Sequence, residues 1–349
     1  MCFCCNRLNF GVVLALLLFA CLPVEGKAFF PEFEEHVINP EAGTGLAITV
    51  SDVNGDGKPD IVGVSSKDVA WYENPTWERH LIADTLRNSN VCIAAQDLDG
   101  DGLPEFALGA DWQFMNTESG GALFLLHRKE SLEEPWNVTT LLEEEPTLHR
   151  IQWADTDGNG KKELIVAPLK GIGSTPPYHH DKPVNLFRLI PPDRPFEQEW
   201  KKETIDESLH VVHNIWPQTW ERGEPQSLFA ASLEGVTMFS YKNDKWESLN
   251  WAKGNPEPFP KSGAGEVKTG RLADQPVPIV ATIEPWHGNQ AVVYVWTKFA
   301  NNVVEGLERF VLDDGLAQGH AVWWSDFDRD GEDELLIGFR EKAPPKDLP

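Results

Sequence analysis

The 349-residue sequence predicts an all-β chain of radially stacked four-stranded blades, a β-propeller, on three observations. An acidic loop, in outline Asp-x-Asp-Gly-Asp-Gly-x-x-Asp/Glu, recurs four times, each copy between two short apolar strands. An aromatic or apolar marker opens an outer strand at Phe33, Trp77, Trp136, Trp200, Trp246 and Leu307. The strands alternate with period two and are rich in Val, Ile and Leu, which excludes a coiled coil or a helical solenoid. Units of roughly 45 to 60 residues are too small to bury both faces of a sheet, so they must stack on one another.

Residues 1–26 read as an export segment, with Arg7 as a weak basic region, Gly11–Ala20 as the apolar region and Val24-Glu25-Gly26 before cleavage. A second reading is that Leu18-Phe19-Ala20-Cys21, similar to a bacterial lipobox, leaves Cys21 as a lipidated N-terminus. A third is that the segment stays as an uncleaved anchor, and the chain is expected in the periplasm or outside the cell. The continuously apolar run around Leu14–Leu18 is too short to span a bilayer. Cys2, Cys4, Cys5 and Cys21 all lie in this segment, which leaves Cys92 alone in the mature chain and rules out an intradomain disulfide. Asn137-Val138-Thr139 matches a glycosylation sequon, which means little in a bacterial host.

The repeat begins with an outer-type strand, Phe33–Ile38, expected to close the ring by completing the last blade. The first loop follows an alternating strand, Leu46–Val50, and offers Asp52, Asn54, Asp56 and Asp60 as ligands. The second offers Asp97, Asp99, Asp101 and Glu105, and the third Asp155, Asp157, Asn159 and Glu163. The unit from Trp200 keeps its strand at Leu228–Ala231 but has lost the acidic loop. The unit from Trp246 runs through a longer insert to Ile279–Thr282, also without it. The sixth unit restores the loop with Asp326, Asp328, Asp330 and Glu334. Six units are visible, the last blade is short, and a seven-bladed ring stays open as an alternative.

Hard oxygen ligands around a tight Gly turn suit Ca²⁺ or Mg²⁺, in a structural role, with a solvated Asp/Gly hairpin turn as the plain alternative. A formal net charge of −25 argues against nucleic acid and against an anionic membrane surface, while 41% hydrophobic residues suffice for a core.

These repeats resemble the FG-GAP/VCBS propeller repeat over about residues 30–340. Within that group the chain is similar to the propeller domain of the aldos-2-ulose dehydratase family. The carriers are the stretch from Leu46 to Asp52, Val69-Ala-Trp-Tyr-Glu-Asn-Pro75, Trp77-Glu-Arg-His-Leu-Ile82 and Leu148-His-Arg-Ile-Gln-Trp-Ala-Asp155. The resemblance implies a keto-sugar lyase. The family enzyme's cupin-type regions have no room here, so at most a dehydration step carries over.

Ten His are unevenly placed. His149 and His320 each lie six residues before the first Asp of a loop, and His213 takes the same place in the loop-less unit. That phase puts all three at the start of innermost strands, converging on one mouth of the central channel, with His210 in reach of the same rim. Such imidazoles suit Zn²⁺ or another transition metal, or supply a general base near neutral pH. His149 is the expected base, with His213 and His320 as ligands or polarising groups. Trp216, Trp220, Trp286, His287 and Glu266 are candidates to hold a sugar or glycan, and Glu284 is a further carboxylate that would bind hydroxyls. Trp153, Trp323 and Trp324 lie near the same histidines. The alternative for each Trp is a wedge between blades. For the whole chain it is a non-catalytic, Ca²⁺-stiffened surface module that binds glycan or protein.

Overall fold

The computed structural model describes residues 32–341 apart from 43–44, 85, 130, 133, 273–276, 297–298, 301–302 and 305. The export segment, with its four cysteines and both cleavage readings, lies outside the described residues. Residues 1–35 form a unit distinct from 36–349. No helix among the described residues is long and apolar enough to cross a membrane.

Five four-stranded antiparallel sheets follow one another along the chain, and a sixth has two strands. The first comprises β1 (Gly45–Ser51), β2 (Asp60–Ser65), β3 (Asp68–Glu73) and β4 (Glu78–Asp84). The second holds β5 (Cys92–Gln96), β6 (Glu105–Ala110), β7 (Ala122–His127) and β8 (Asn137–Leu142). The third runs through β9 (Leu148–Ala154), β10 (Glu163–Pro168), β11 (Leu186–Ile190) and β12 (Lys201–Asp206). In the fourth are β13 (Asn214–Gln218), β14 (Ser227–Ser232), β15 (Gly235–Lys242) and β16 (Lys245–Ala252). The fifth is β17 (Glu266–Gly270), β18 (Ile279–Glu284), β19 (Gln290–Trp296) and β22 (Leu307–Asp313), with a small hairpin, β20 (Phe299–Ala300) and β21 (Val303–Val304), inserted before its last strand. Only β23 (Gly319–Ser325) and β24 (Glu334–Phe339) make the sixth.

Each four-stranded sheet is ordered from an innermost first strand to an outermost fourth, as β-propeller blades are. β6, β10, β14 and β18 are buried along their whole length because neighbouring sheets cover both faces, whereas outermost strands such as β12 alternate toward solvent. Five apolar clusters lie between consecutive sheets, one per junction. The markers fill these wedges: Trp136, Trp200, Trp246 and Leu307 each join the cluster between their own sheet and the one before or after it. Trp153 reaches across in the same way, its Nε1 donating to Ala94 O at 3.3 Å.

The structure differs from the expectation at one point: residues 32–38 form no strand, so the outer strand expected over Phe33–Ile38 is not formed. A fourth strand needs a third to hydrogen-bond with, and the sixth sheet has only two among the described residues. Among the described residues no apolar cluster joins the last sheet to the first, and Ile48 (74% exposed) and Trp323 (50%) face solvent on those two flanks.

Candidate functional site

Strand direction sorts the two kinds of candidate residue. Each innermost strand begins at one end of the channel and reaches an acidic loop, or its remnant, about six residues on, about 20 Å away at 3.3 Å per residue. The acidic loops therefore occupy one face, and the strand starts, the second-to-third-strand loops and the blade connections occupy the other.

On the first face the loops share one hydrogen-bond pattern. The leading carboxylate caps two backbone amides, as when Asp97 accepts from Gly100 N and Gly102 N at 2.7 and 3.0 Å. The acid at position nine turns inward to accept from position two, as Glu105 does from Leu98 N at 2.8 Å. Three loops bring three carboxylates together: Asp97, Asp99 and Asp101; Asp155, Asp157 and Glu163; Asp326, Asp328 and Glu334. Burial, with Asp99, Asp101 and Asp97 adding repulsion, pushes Glu105 up to about 7. A divalent cation would relieve that crowding. The first loop is not gathered this way: Lys58 pairs with Asp56 at 2.7 Å, and buried Asp60 accepts from Val53 N and Asn74 N, both at 2.9 Å.

At the opposite mouth the residues six before the first loop position form a series, one per sheet: Leu46, Val91, His149, His213, Gly265 and His320. The backbone repeats with them. Val91 N, His213 N and Gly265 N each donate to the facing second strand, at 2.8, 3.0 and 2.8 Å. Left-handed residues, Thr147 (φ 56°), Val211 (φ 51°) and Gln318 (φ 55°), stand two before His149, His213 and His320. Such a φ is costly for β-branched Thr and Val, and strain of this kind concentrates at functional sites.

The fifth sheet breaks the histidine series with Gly265, and the gap is used. A Cβ there would lie 2.8 Å from Trp286 Cα and 3.2 Å from His287 N, so only glycine lets the β18–β19 loop enter the channel. That loop delivers His287, whose Nε2 lies 3.2 Å from His213 Nε2. His213, His287 and His320 place ligand atoms within 4.8 Å of one another. His149 packs beside them, its ring centroid 4.9 Å from that of His213, and stacks on Trp112.

His213 Nδ1 donates to Gly265 O at 2.7 Å, which leaves its Nε2 for a ligand. Glu266 stands 3.1 Å from the same Nδ1 and 3.9 Å from His320 Nδ1, and accepts from Asn214 at 2.6 Å. Glu266 is thus a buried support behind the histidines and not a surface that meets sugar hydroxyls. Burial first, then Arg150, holds His149 well below the usual imidazole range. His213 is lowered for the same two reasons, His287 falls to about 3, chiefly by burial and then by His213, and burial lowers His320. Four neutral imidazoles are four available ligands or bases. Neither nitrogen of buried His149 has a hydrogen-bond partner among the described residues. Two Nε2 atoms at 3.2 Å are also near the ~3.3 Å separation of two nitrogens bound tetrahedrally at 2.0–2.1 Å. The donor set therefore fits a zinc-class ion.

These groups line a cavity of about 630 Å³, walled by Trp112, Phe114 and Trp286 and open to Arg150 and Arg340. Other candidates lie elsewhere. His210 is bound to Glu234 at 2.8 Å beside Phe259, outside the cavity, because its place in the 207–213 connection turns it away from the channel. Trp216 donates to Thr269 at 2.8 Å and packs edge-on to Trp323, off the cavity wall. Trp220 sits beyond the other end of β13, in the remnant loop, and donates to Ser227 at 3.1 Å. Trp324 packs between the fifth and sixth sheets. Glu284 is fully buried and saturated by Arg309, Tyr294 and Thr282, so it meets no ligand. Neither His80, stacked on Trp71, nor His127, stacked on Phe196, belongs to the site. His179 and His180 do not line the cavity either; His179 contacts Ser174 and His180 packs on Phe259.

Blades with FG-GAP-type loops on one face and a histidine mouth on the other define a class of β-propeller, and residues 52–108 match an FG-GAP-like repeat. Residues 120–297, just over half the chain, match the aldos-2-ulose dehydratase β-propeller domain, and the chain belongs to that family. Aldos-2-ulose dehydratase of Phanerodontia chrysosporium is 27% identical over 242 residues, covering 65% of this chain. The alignment takes in 26% of that protein, so the chain spans about a quarter of its relative's length.

Proposed function

We propose that this propeller is a metal-dependent hydro-lyase that dehydrates a keto-sugar at the histidine mouth. The observation that carries this reading is the convergence of His213, His287 and His320 beside a buried His149 with no hydrogen-bond partner. His213, His287 and His320 would hold a zinc-class ion, which when bound would supply Lewis-acid polarisation of a sugar carbonyl. Gly265 O and Glu266 hold His213 with Nε2 toward the cavity, a support that commonly changes metal affinity 10- to 100-fold. Trp112, Phe114 and Trp286 wall the cavity and give it aromatic surface for the apolar face of a sugar. His149 takes the proton α to the carbonyl and returns it to the departing β-hydroxyl, which leaves as water. Burial and Arg150 make a charged His149 unfavourable, so the proton does not rest there. The acidic loops hold Ca²⁺ or Mg²⁺ as structural ions, and residues 1–26 direct the chain to export.

Metal analysis of the purified protein and ultraviolet monitoring with 1,5-anhydrofructose test this. Zinc retained by the parent and lost in His213→Ala, together with growth of a conjugated enone, supports it. Retained zinc without turnover on any keto-sugar defeats the lyase and leaves a metal-centred binding module. A protein that holds no transition metal defeats both.

A further inference from the structure

The charge of the cavity wall narrows the ligand. In a chain of net charge −25, the charged side chains that line this cavity among the described residues are Arg150 and Arg340, and no described carboxylate lines it. Glu266, buried behind the wall, pairs with Arg150 only at long range, its oxygen 4.0 Å from the guanidinium. Arg150 also donates to His149 O at 3.2 Å, which does not neutralise it. Arg340 follows β24 and is held by its backbone, N to Gln318 O at 3.0 Å. Its guanidinium makes no ion pair or hydrogen bond among the described residues.

A neutral sugar can accept hydrogen bonds from these groups but leaves the charge of Arg340 uncompensated, and a cationic ligand is repelled. A carboxylate or phosphate group meets two planar forks that bind such oxygens in pairs, one on half-buried Arg150 and one on exposed Arg340 at the cavity's edge. We infer that the natural ligand is an anionic polyhydroxylated molecule, a sugar acid or sugar phosphate, whose charged group is bound by Arg340 and Arg150. This rests on the reading of the cavity as a metal-centred sugar site.

The test uses the full chain with its zinc content measured first, and calorimetric titration with D-glucose, D-glucuronate and D-glucose 6-phosphate. Glucuronate or the phosphate is expected to bind at least tenfold tighter than glucose, and the stronger of the two identifies the group recognised. Raising the salt concentration shrinks the ratio. Arg340→Gln is expected to cut the ratio about tenfold with zinc content unchanged, and Arg340→Lys, which keeps the charge but loses the fork, to restore only part of it. Equal affinities, no binding of either anionic sugar, or a ratio that survives Arg340→Gln overturns the inference. Loss of zinc from the parent overturns the metal centre instead, and the same ratio on the metal-free chain still decides the role of the arginines.

Discussion

Gly265→Ala probes the site with one methyl group. Gly265 is not in the left-handed region, so the new side chain meets only a steric obstacle. Its Cβ would stand 2.8 Å from Trp286 Cα, about 0.6 Å short of the 3.4 Å at which ordinary contact begins, and 3.2 Å from His287 N. Both obstacles are backbone, so the β18–β19 loop must retreat as a unit. Overpacking of this kind costs about 1–3 kcal/mol. A retreat of half an ångström already exceeds what a ligand set tolerates, and it separates two nitrogens now 3.2 Å apart. The expected outcome is a modest fall in melting temperature and a loss of about tenfold or more in zinc affinity, read by competition with a chromophoric chelator. His287→Ala is the companion variant, losing zinc affinity without the overpacking. A Gly265→Ala protein that binds zinc as tightly as the parent would refute the argument that the missing side chain admits His287.

Chelation with EDTA is expected to lower the melting temperature, since binding at 100 times Kd stabilises by about 2.7 kcal/mol per site; Asp97→Ala should lower it less than full chelation, and an unchanged melting curve in EDTA would remove calcium from the account. His149→Ala should fold, keep its metal and lose roughly 10² or more in turnover. Because burial lowers the His149 pKa, its base form persists in acid, so the parent's activity should not fall at the ordinary imidazole pKa of 6.5; a midpoint there would assign the base elsewhere. Burial pushes Lys268 down from 10.5 to about 8. From about pH 8 the native state has released a proton that the unfolded chain still holds, so this group's contribution to stability rises with pH toward 10.5. Cys92, pushed up from 9.0 to about 12, works in the opposite sense above pH 9. The stability difference between parent and Lys268→Met should therefore change in the parent's favour from pH 8 to 9, and a constant difference would show that Lys268 titrates normally.

Local pattern was enough for the blades. Strand alternation, the loop after each innermost strand and the Trp136, Trp200 and Trp246 wedges are set within one unit, so their periodicity is visible along the chain. The phase of His149, His213 and His320 was legible for the same reason, because repeats transmit a shared position to a shared place on the channel. His287 was legible only as a candidate, since it is off phase and reaches the cavity through a space that Gly265 leaves in another strand. Tertiary structure alone decided that Glu266 supports instead of binding, that Arg309, Tyr294 and Thr282 saturate Glu284, and that His210 faces Glu234. Each depends on which long-range partner meets the side chain, and no spacing encodes that. Arg340 drew no notice in the sequence, because an arginine after a strand looks like any solvated charge until six strand starts close around one cavity. The unformed N-terminal strand has the same origin: Phe33–Ile38 carries the outer-strand pattern, but a strand exists only where a neighbour offers its hydrogen bonds.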